Sequence, residues 1–258
     1  MPESVSYNFI NTMCCARLLE APNPTRRIII IFTQCDFTLT QHIKKLIAIS
    51  FLIVSLSISV SSSGSQVNLK KTSWVGPDLS PHVLKLALQA FESAGKKKIG
   101  KREILGIIDF SLPSTKPRFW VLDLKQKEVL FYELVSHGKG SGENFATSFS
   151  NTPGSSQSSL GLYLTELPYE GKHGYSLRLQ GLEAGINDNA GSRAIVIHSA
   201  DYVSKSWIDK HKRLGRSNGC PAVRDSIVKN LIDTIKDGNL IFAYYPDEQW
   251  LSKSRFLD

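Results

Sequence analysis

Short runs of β-branched and aromatic residues at close intervals constrain the fold of this chain more than any other feature. The links between these runs are rich in Gly, Ser, Asn and Pro, which are the residues typical of turns. Seven strands are predicted, at 104–110, 118–124, 129–135, 160–164, 175–179, 194–197 and 240–245. Strands this short and this closely spaced predict a mostly antiparallel β fold, either a sandwich or a barrel.

Two helices are predicted, one before the first strand and one before the last strand. The first begins at Ser80, which is followed by a proline, because serine favours the N-cap and proline the first helical position. It ends at Gly95, and its apolar residues follow the helical period: Leu84, Ala87, Leu88 and Phe91. The second begins at Asp225 or Ser226 and ends before Gly238.

The N-terminal part of the chain has the pattern of a secretory signal. Residues 46–60 are apolar or small and follow a Lys-Lys pair, and the Ser- and Gly-containing stretch at 61–65 suits cleavage. The apolar run is shorter than the ~20 residues that a membrane-spanning helix needs. We therefore expect export to the periplasm or cell envelope, with cleavage at about 61–66. An uncleaved membrane anchor is the alternative.

The chain divides into four predicted segments. The first, at 1–43, is an N-terminal extension that we expect to be disordered or absent from the natural protein. The others are a signal peptide or membrane anchor at 44–65, a helical segment at 66–100 and a β domain at 101–258. Contact with a membrane is expected only through the segment at 44–65.

Charge and cysteine content narrow the classes of function. The formal net charge is +8, which suits an anionic polymer such as the cell wall. The basic residues are scattered and no nucleic-acid-binding motif is present, so we expect no nucleic-acid partner. Cys14, Cys15 and Cys35 precede the predicted cleavage point, which leaves Cys220 as an unpaired thiol. No spaced ligand motif predicts a metal site, and no cofactor is expected.

The chemistry is predicted from a cysteine in a tight turn and a histidine at the end of a strand. Cys220 follows Ser217, Asn218 and Gly219, and His198 follows an apolar β run. The thiolate is the nucleophilic form of cysteine and needs a neighbouring base, a role that His198 fits. The orientation of the ring would be fixed by a hydrogen bond from its other nitrogen, for which a backbone carbonyl can serve. The backbone N–H groups of residues 218–220 are predicted to stabilise an oxyanion.

These residues resemble the signature of the YkuD-like L,D-transpeptidases, a His followed after an interval by Ser-His-Gly-Cys. More closely, the chain is similar to murein L,D-transpeptidase catalytic-domain family proteins. The resemblance is carried by blocks at 109–111, 118–124, 136–142, 158–161, 171–174, 193–198 and 215–222. It implies a mostly β catalytic domain of YkuD type, outside the cytoplasmic membrane, that acts on peptidoglycan peptide stems.

The resemblance also implies roles for individual residues. Cys220 would attack a stem carbonyl and form a thioester, with His198 as base and the N–H groups of Gly219 and Cys220 as oxyanion donors. An amine acceptor would complete a 3→3 cross-link, whereas water would make the protein an L,D-carboxypeptidase or amide hydrolase. A catalytically inactive peptidoglycan-binding module is a third interpretation.

Two departures from the family pattern affect the site. Asn218 replaces the His of Ser-His-Gly-Cys, and a Pro-Ala pair replaces the usual apolar-Arg pair after the cysteine. The ligand for a substrate carboxylate therefore has several candidates. The predicted substrate-binding residues are Arg193, Arg216, Arg224, His137 and His173.

Overall fold

A computed structural model describes residues 78–100 and 103–257 of the protein, and its strands form one mixed sheet. In chain order the strands are β1 (Ile104–Asp109), β2 (Phe119–Asp123), β3 (Glu128–Glu133), β4 (Gly161–Gly171), β5 (Gly174–Gly181), β6 (Val196–Ser199), β7 (Ala222–Val223) and β8 (Leu240–Tyr244). Their order in the sheet is β3-β2-β1-β8-β4-β5-β6-β7. The predicted extension and the signal or anchor, at 1–65, lie outside the described residues.

The centre of the sheet is a parallel pair, β1 and β8, that is buried along almost its whole length. Both strands are nearly continuous apolar runs, which is the pattern of strands covered on both faces. One cover is the first helix, α1 (Pro81–Lys96), which packs against β1 and β8. The parallel pairs β1–β8 and β6–β7 were not predicted, because the sequence indicated a mostly antiparallel arrangement.

The two ends of the sheet are joined by the chain that continues β3. The Ser136 N–H donates to the Ala222 carbonyl oxygen of β7 at 2.9 Å. Further on, the Ser217 N–H donates to the His137 carbonyl at 3.0 Å, and the Lys139 N–H donates to the Ser217 carbonyl at 2.8 Å. The sheet is therefore a nearly closed barrel, which confirms a mostly β fold and decides between the barrel and the sandwich.

Three further α-helices, α2 (Lys205–His211), α3 (Asp225–Ile235) and α4 (Glu248–Leu251), and a short 3-10 helix at Lys139–Ser141 complete the described part of the chain. Helix α3 begins after β7 and packs against β1, β5 and β6 with its apolar face. That face is the predicted one: Val228, Leu231, Ile232 and Ile235. The two predicted helices are confirmed, although the Ser80 side chain makes no capping hydrogen bond.

The structure differs from the predicted elements near the cysteine turn and at one hairpin. Strand β4 extends to Gly171 and forms a long hairpin with β5. The outer half was missed because its residues, 166–171, mix polar and apolar types and none of them is buried. His198 lies within β6 and does not follow it. Strand β7 and helix α2 were missed, since two residues and seven residues give almost no periodic signal.

Candidate active site

Cys220 lies in the turn that leads into β7, beside the start of β6. Strands β6 and β7 are parallel, with His198 paired to Ala222, so Cys220 lies close to Val196. The Val196 N–H contacts Cys220 Sγ at 3.5 Å, and the thiol also lies 3.5 Å from the Ala194 carbonyl. The thiol is half-buried and unpaired.

The imidazole of His198 is held by the backbone of the next residue. Its Nδ1 lies 2.7 Å from the Ser199 carbonyl oxygen. Because a carbonyl only accepts hydrogen bonds, Nδ1 carries the proton, and Nε2 is the basic nitrogen of the neutral ring. Ser199 therefore supplies the backbone carbonyl whose position the sequence did not identify.

The thiol and the imidazole lie on neighbouring segments of the described chain and are not hydrogen-bonded to each other. Within the described residues, no hydrogen bond joins Cys220 Sγ to either ring nitrogen of His198. Only Ile197 lies between His198 and Val196, the residue that the thiol contacts, and this spacing of two positions is roughly 7 Å along a strand. Catalytic hydrogen bonds are often long in free enzymes and tighten when substrate binds.

Burial dominates the electrostatics of both groups. Burial lowers the pKa of His198, a shift that the Ser199 hydrogen bond opposes and the neighbouring His173 reinforces. Burial also raises the pKa of the Cys220 thiol, against the Val196 N–H and the charge of Arg193, which both lower it. At neutral pH the resting pair is therefore a neutral thiol beside a neutral imidazole, and His198 is ready to accept a proton.

The nucleophile turn, residues 217–220, is fixed by its own serine. Ser217 Oγ accepts a hydrogen bond from the Gly219 N–H at 3.0 Å and donates one to the Cys220 carbonyl at 2.6 Å. Gly219 has φ +128°, which glycine adopts without strain. The Gly219 N–H was predicted to be an oxyanion donor, but in this structure it already donates to Ser217 Oγ. The N–H groups of Asn218 and Cys220 have no partner in the described part of the chain.

A second serine, which sequence reasoning did not single out, ties this turn to two other loops. Ser158 Oγ donates to the Gly219 carbonyl at 3.0 Å and accepts from the Gly138 N–H at 3.0 Å. The Ser158 N–H in turn donates to Ser141 Oγ at 2.9 Å. Ser158 lies in one of the sequence blocks that resemble the family, which was the available signal for its importance.

Arg193 lies beside Gly219 of the nucleophile turn and binds the neighbouring loop. Its guanidinium donates to the carbonyl oxygens of Ser150 and Gln157 and to the hydroxyls of Ser155 and Ser159. With both terminal nitrogens in use, Arg193 holds the loop at 150–159 in place. Its positive charge also lowers the pKa of the Cys220 thiol.

The other two predicted arginine ligands are held in ion pairs. Arg216 donates to Glu143 at 2.7 Å and to the Gly142 carbonyl at 2.9 Å. Arg224 makes a bidentate salt bridge with the Glu133 carboxylate on β3, with N–O distances of 2.9 and 2.7 Å. Both side chains would have to leave these partners to bind a substrate carboxylate.

His137 is fully buried and has no ring nitrogen available for a ligand. Its Nδ1 accepts from Arg118 at 2.7 Å, which leaves Nε2 to donate to the Gly142 carbonyl at 3.3 Å. Burial, reinforced by the Arg118 charge, lowers the pKa of His137 to about 3, so the ring is neutral. The structure therefore places His137 in the scaffold under the nucleophile turn and not at the border of a cleft.

His173 is the predicted substrate-binding residue that reaches the site. It is exposed at the tip of the β4–β5 hairpin, and its ring stacks on His198 with 4.4 Å between the ring centroids and 27° between the planes. Nowhere in 78–100 or 103–257 do three or more His, Cys, Asp or Glu side chains group to hold a metal ion. None of the helices in these ranges is both long and apolar enough to cross a membrane.

Comparison with known proteins identifies the family. No curated protein matches the chain. Among solved structures, an L,D-transpeptidase from Mycobacterium smegmatis is 16% identical with a TM-score of 0.35, covering 55% of this chain and 59% of its own. The L,D-transpeptidase (Yku) from Stackebrandtia nassauensis is 16% identical with a TM-score of 0.34, covering 64% and 68%. Likenesses this low carry no argument about activity.

The assignment depends instead on a match to a protein family. The L,D-transpeptidase catalytic domain (YkuD_2) matches residues 76–244, which include all eight strands, His198 and the nucleophile turn. This range is more than half of the chain, and the chain therefore belongs to the L,D-transpeptidase catalytic domain family.

Proposed function

We propose that this chain is a cysteine acyltransferase that acts on the peptide stems of peptidoglycan, with Cys220 as nucleophile and His198 as base. The observation that carries the proposal is the geometry of the two residues within this family's domain. An unpaired thiol lies in a fixed turn beside β6, and the imidazole on the same strand has Nδ1 bound to Ser199, so that Nε2 is left basic.

The reaction follows from the protonation states of this pair. His198 Nε2 takes the proton of the Cys220 thiol as Sγ attacks a stem carbonyl carbon at an L-centre. The tetrahedral intermediate collapses, and the protonated His198 returns the proton to the departing D-alanine amine, which leaves a thioester on Cys220. An acceptor amine then attacks the thioester, gives a proton to His198 and forms the cross-link, and the thiol is restored.

The oxyanion of the intermediate needs donors that are free in the resting site. The Cys220 and Asn218 N–H groups fit this role, because the Gly219 N–H already donates to Ser217 Oγ. Backbone donation by Asn218 does not depend on its side chain, so the change from the family's His does not remove it. Arg193 adds a positive charge near the sulfur, which favours the thiolate as the proton leaves.

We also propose that the segment at 44–65 directs export, so that the domain acts in the periplasm or cell envelope. The apolar run at 46–60 after two lysines and the net charge of +8 support this proposal. Fusion of residues 1–65 to a reporter that is active only outside the cytoplasm tests it. A reporter retained in the cytoplasm would contradict it.

The activity is tested by intact mass of the full-length chain after incubation with a muropeptide tetrapeptide. We expect an acyl adduct on Cys220, followed by a cross-linked dimer. Cys220→Ala should form no adduct, and His198→Ala should reduce the rate of adduct formation by at least about 100-fold. The matched control is His211→Ala, which removes an exposed histidine on α2 and should react as the wild type does.

The products separate the possible activities. A dimer establishes transpeptidation, whereas release of the tripeptide alone shows that water is the acceptor and that the protein is a carboxypeptidase. A folded protein whose free thiol forms no adduct would contradict the catalytic proposal and leave a peptidoglycan-binding module.

A further inference from the structure

The tip of the β4–β5 hairpin has a turn that fixes the direction of His173. Gly171 and Gly174 pair across the strands, with Lys172 and His173 as the two residues of the turn. Gly174 has φ +70°, whereas neither turn residue has a positive φ. This is the pattern of a type I turn closed by a glycine in the left-handed conformation. The hairpin thus presents His173 in a defined position and not on a loose loop.

The hairpin holds His173 against one face of the His198 imidazole. Strand β5 pairs with β6 through Leu177 and Ile197, so the hairpin tip lies just beyond the pairing that ends next to His198. The His173 and His198 rings are stacked at 4.4 Å. The result is an unequal pair, because His198 is 3% exposed while His173 is exposed to solvent.

We propose that His173 is a positioning residue that covers one face of the His198 imidazole and fixes the ring for proton transfer from Cys220. The inference rests on the proposed function and adds a residue to it. Ser199 restrains the ring at Nδ1, but a single hydrogen bond still allows the ring to tilt about that contact. A stacked ring prevents the tilt, so that Nε2 stays directed towards the substrate side of the site.

A role in positioning explains the geometry better than a role in substrate binding. The contact that the structure shows for His173 is made by its ring face, and it is made to His198 itself, so its direct effect is on the orientation of that ring. The stack also removes water from the imidazole, in keeping with burial as the largest cause of the lowered His198 pKa.

The pH dependence has a definite sign. Two groups contact His198, the His173 ring from the hairpin and the Ser199 carbonyl on its own strand, while Cys220 lies in the neighbouring turn, two residues before the Ala222 that pairs with His198. Loss of His173 exposes the His198 ring and removes the electrostatic effect of His173 that lowers the pKa of His198, so that pKa should rise. A base with a higher pKa is protonated at a higher pH, so activity should be lost earlier as the pH falls.

The test compares the full-length wild type with His173→Ala and His173→Phe. We expect acylation of Cys220 by the tetrapeptide to slow about tenfold in His173→Ala, with KM unchanged. His173→Phe keeps the stack and should retain the rate within about threefold. In an NMR titration with labelled histidine, the His198 resonance should titrate at a higher pH in His173→Ala than in the wild type. Lys172→Ala, in the same turn, is the matched control and should change neither.

The outcomes separate this inference from the proposed function. The NMR titration needs no substrate, so it reports on the stack even if the wild type forms no adduct. A higher His198 titration in His173→Ala without any acylation by the wild type would uphold the contact and refute the transpeptidase. Identical titration and acylation in wild type and His173→Ala would overturn the inference. A raised KM with unchanged kcat would also overturn it, because it would make His173 a substrate ligand.

Discussion

The two regions that meet at the catalytic pair are held in opposite ways. The nucleophile turn is bound by Ser158, a buried side chain from elsewhere in the chain, and by its own Ser217, and Arg193 lies beside it at Gly219. The hairpin tip that carries His173 is exposed, and its contacts are mainly with itself and with the His198 ring. Cys220 is thus held by the folded core, whereas His173, which stacks on the base His198, lies at the tip of the exposed β4–β5 hairpin.

This difference indicates which half of the site can adapt to substrate. Local stability follows buried contacts, so the turn should open only when the barrel opens, while the tip can move in the native state. Movement of the tip would release the His198 ring without disturbing the thiol. The predictions below test this contrast by removing supports from the most buried to the most exposed.

Removal of Arg118 should have the largest effect, because it supports the loop against which the nucleophile turn packs. The guanidinium is fully buried and donates to the Leu112 and Val135 carbonyls and to His137. Arg118→Ala leaves these acceptors without a partner and should lower the free energy of unfolding by about 3–5 kcal/mol. Chemical denaturation of the wild type and of Arg118→Ala measures this difference in the free energy of unfolding.

The matched control for this change is another arginine that contacts the end of β3. Arg224 pairs with Glu133 with its side chain 44% exposed, and exposed pairs contribute at most about 1 kcal/mol. Equal losses for Arg118→Ala and Arg224→Ala would show that the scaffold under the turn does not depend on the buried arginine.

A pH-dependent loss of stability should come from His137 in the same scaffold. Its pKa is about 3 in the folded protein and 6.5 as its ordinary value, so above pH 6.5 it is neutral in both states. Below that pH the unfolded chain binds a proton that the folded chain does not, and stability falls. The loss should be on the order of 3 kcal/mol between pH 6.5 and pH 4.

Denaturation midpoints across this pH range check the prediction. His137→Gln keeps an acceptor for Arg118 but does not titrate, so its stability should depend less on pH. His211→Gln, at an exposed position, should retain the wild-type slope. The assignment fails if His137→Gln and the wild type lose stability in parallel.

The sequence predicted the parts of the fold that depend on local patterns. Helices α1 and α3 and most strands were located correctly because their apolar residues recur at helical or strand spacing. Closure of the barrel was not predictable in this way. It depends on bonds such as Ser136 to Ala222, between segments far apart in the chain, and on the two-residue strand β7, which has no periodicity.

The same limit explains what was found at the site. Cys220 and His198 are chemically distinctive and could be selected by residue type alone. Ser158 could not, because its role appears only when the fold brings it to Gly219, 61 residues away in sequence. Arg193 was selected as a ligand for substrate. Its place beside the thiol was not predicted, because its four acceptors come from the loop at 150–159, which only the fold brings to the nucleophile turn.

Arg193 should have an intermediate effect, on reactivity as well as on structure. Arg193→Met removes the positive charge that lowers the pKa of the thiol, so that pKa should rise and less thiolate should form at neutral pH. We expect alkylation of Cys220 to slow about tenfold, equivalent to about 1.4 kcal/mol. The rate of carboxamidomethylation as a function of pH measures the change.

Arg216→Met is the control for this measurement, since Arg216 is similarly occupied but its charge does not act on the thiol. Its alkylation profile should match that of the wild type. If Arg193→Met also matched the wild type, the reactivity of the Cys220 thiol would depend on backbone groups and not on the charge of Arg193.

The hairpin should give the smallest effect on stability, which is the sharpest test of the contrast. Arg178 lies over the Tyr169 ring at 3.9 Å on the exposed arm, a contact of about 0.5–1 kcal/mol at such sites. Arg178→Ala should lower the free energy of unfolding by no more than this. Hydrogen exchange should nevertheless quicken at residues 170–175 while residues 217–220 exchange as before. Faster exchange at both 170–175 and 217–220 would show that the hairpin tip and the nucleophile turn open together. His198 and Cys220 would then belong to one rigid unit.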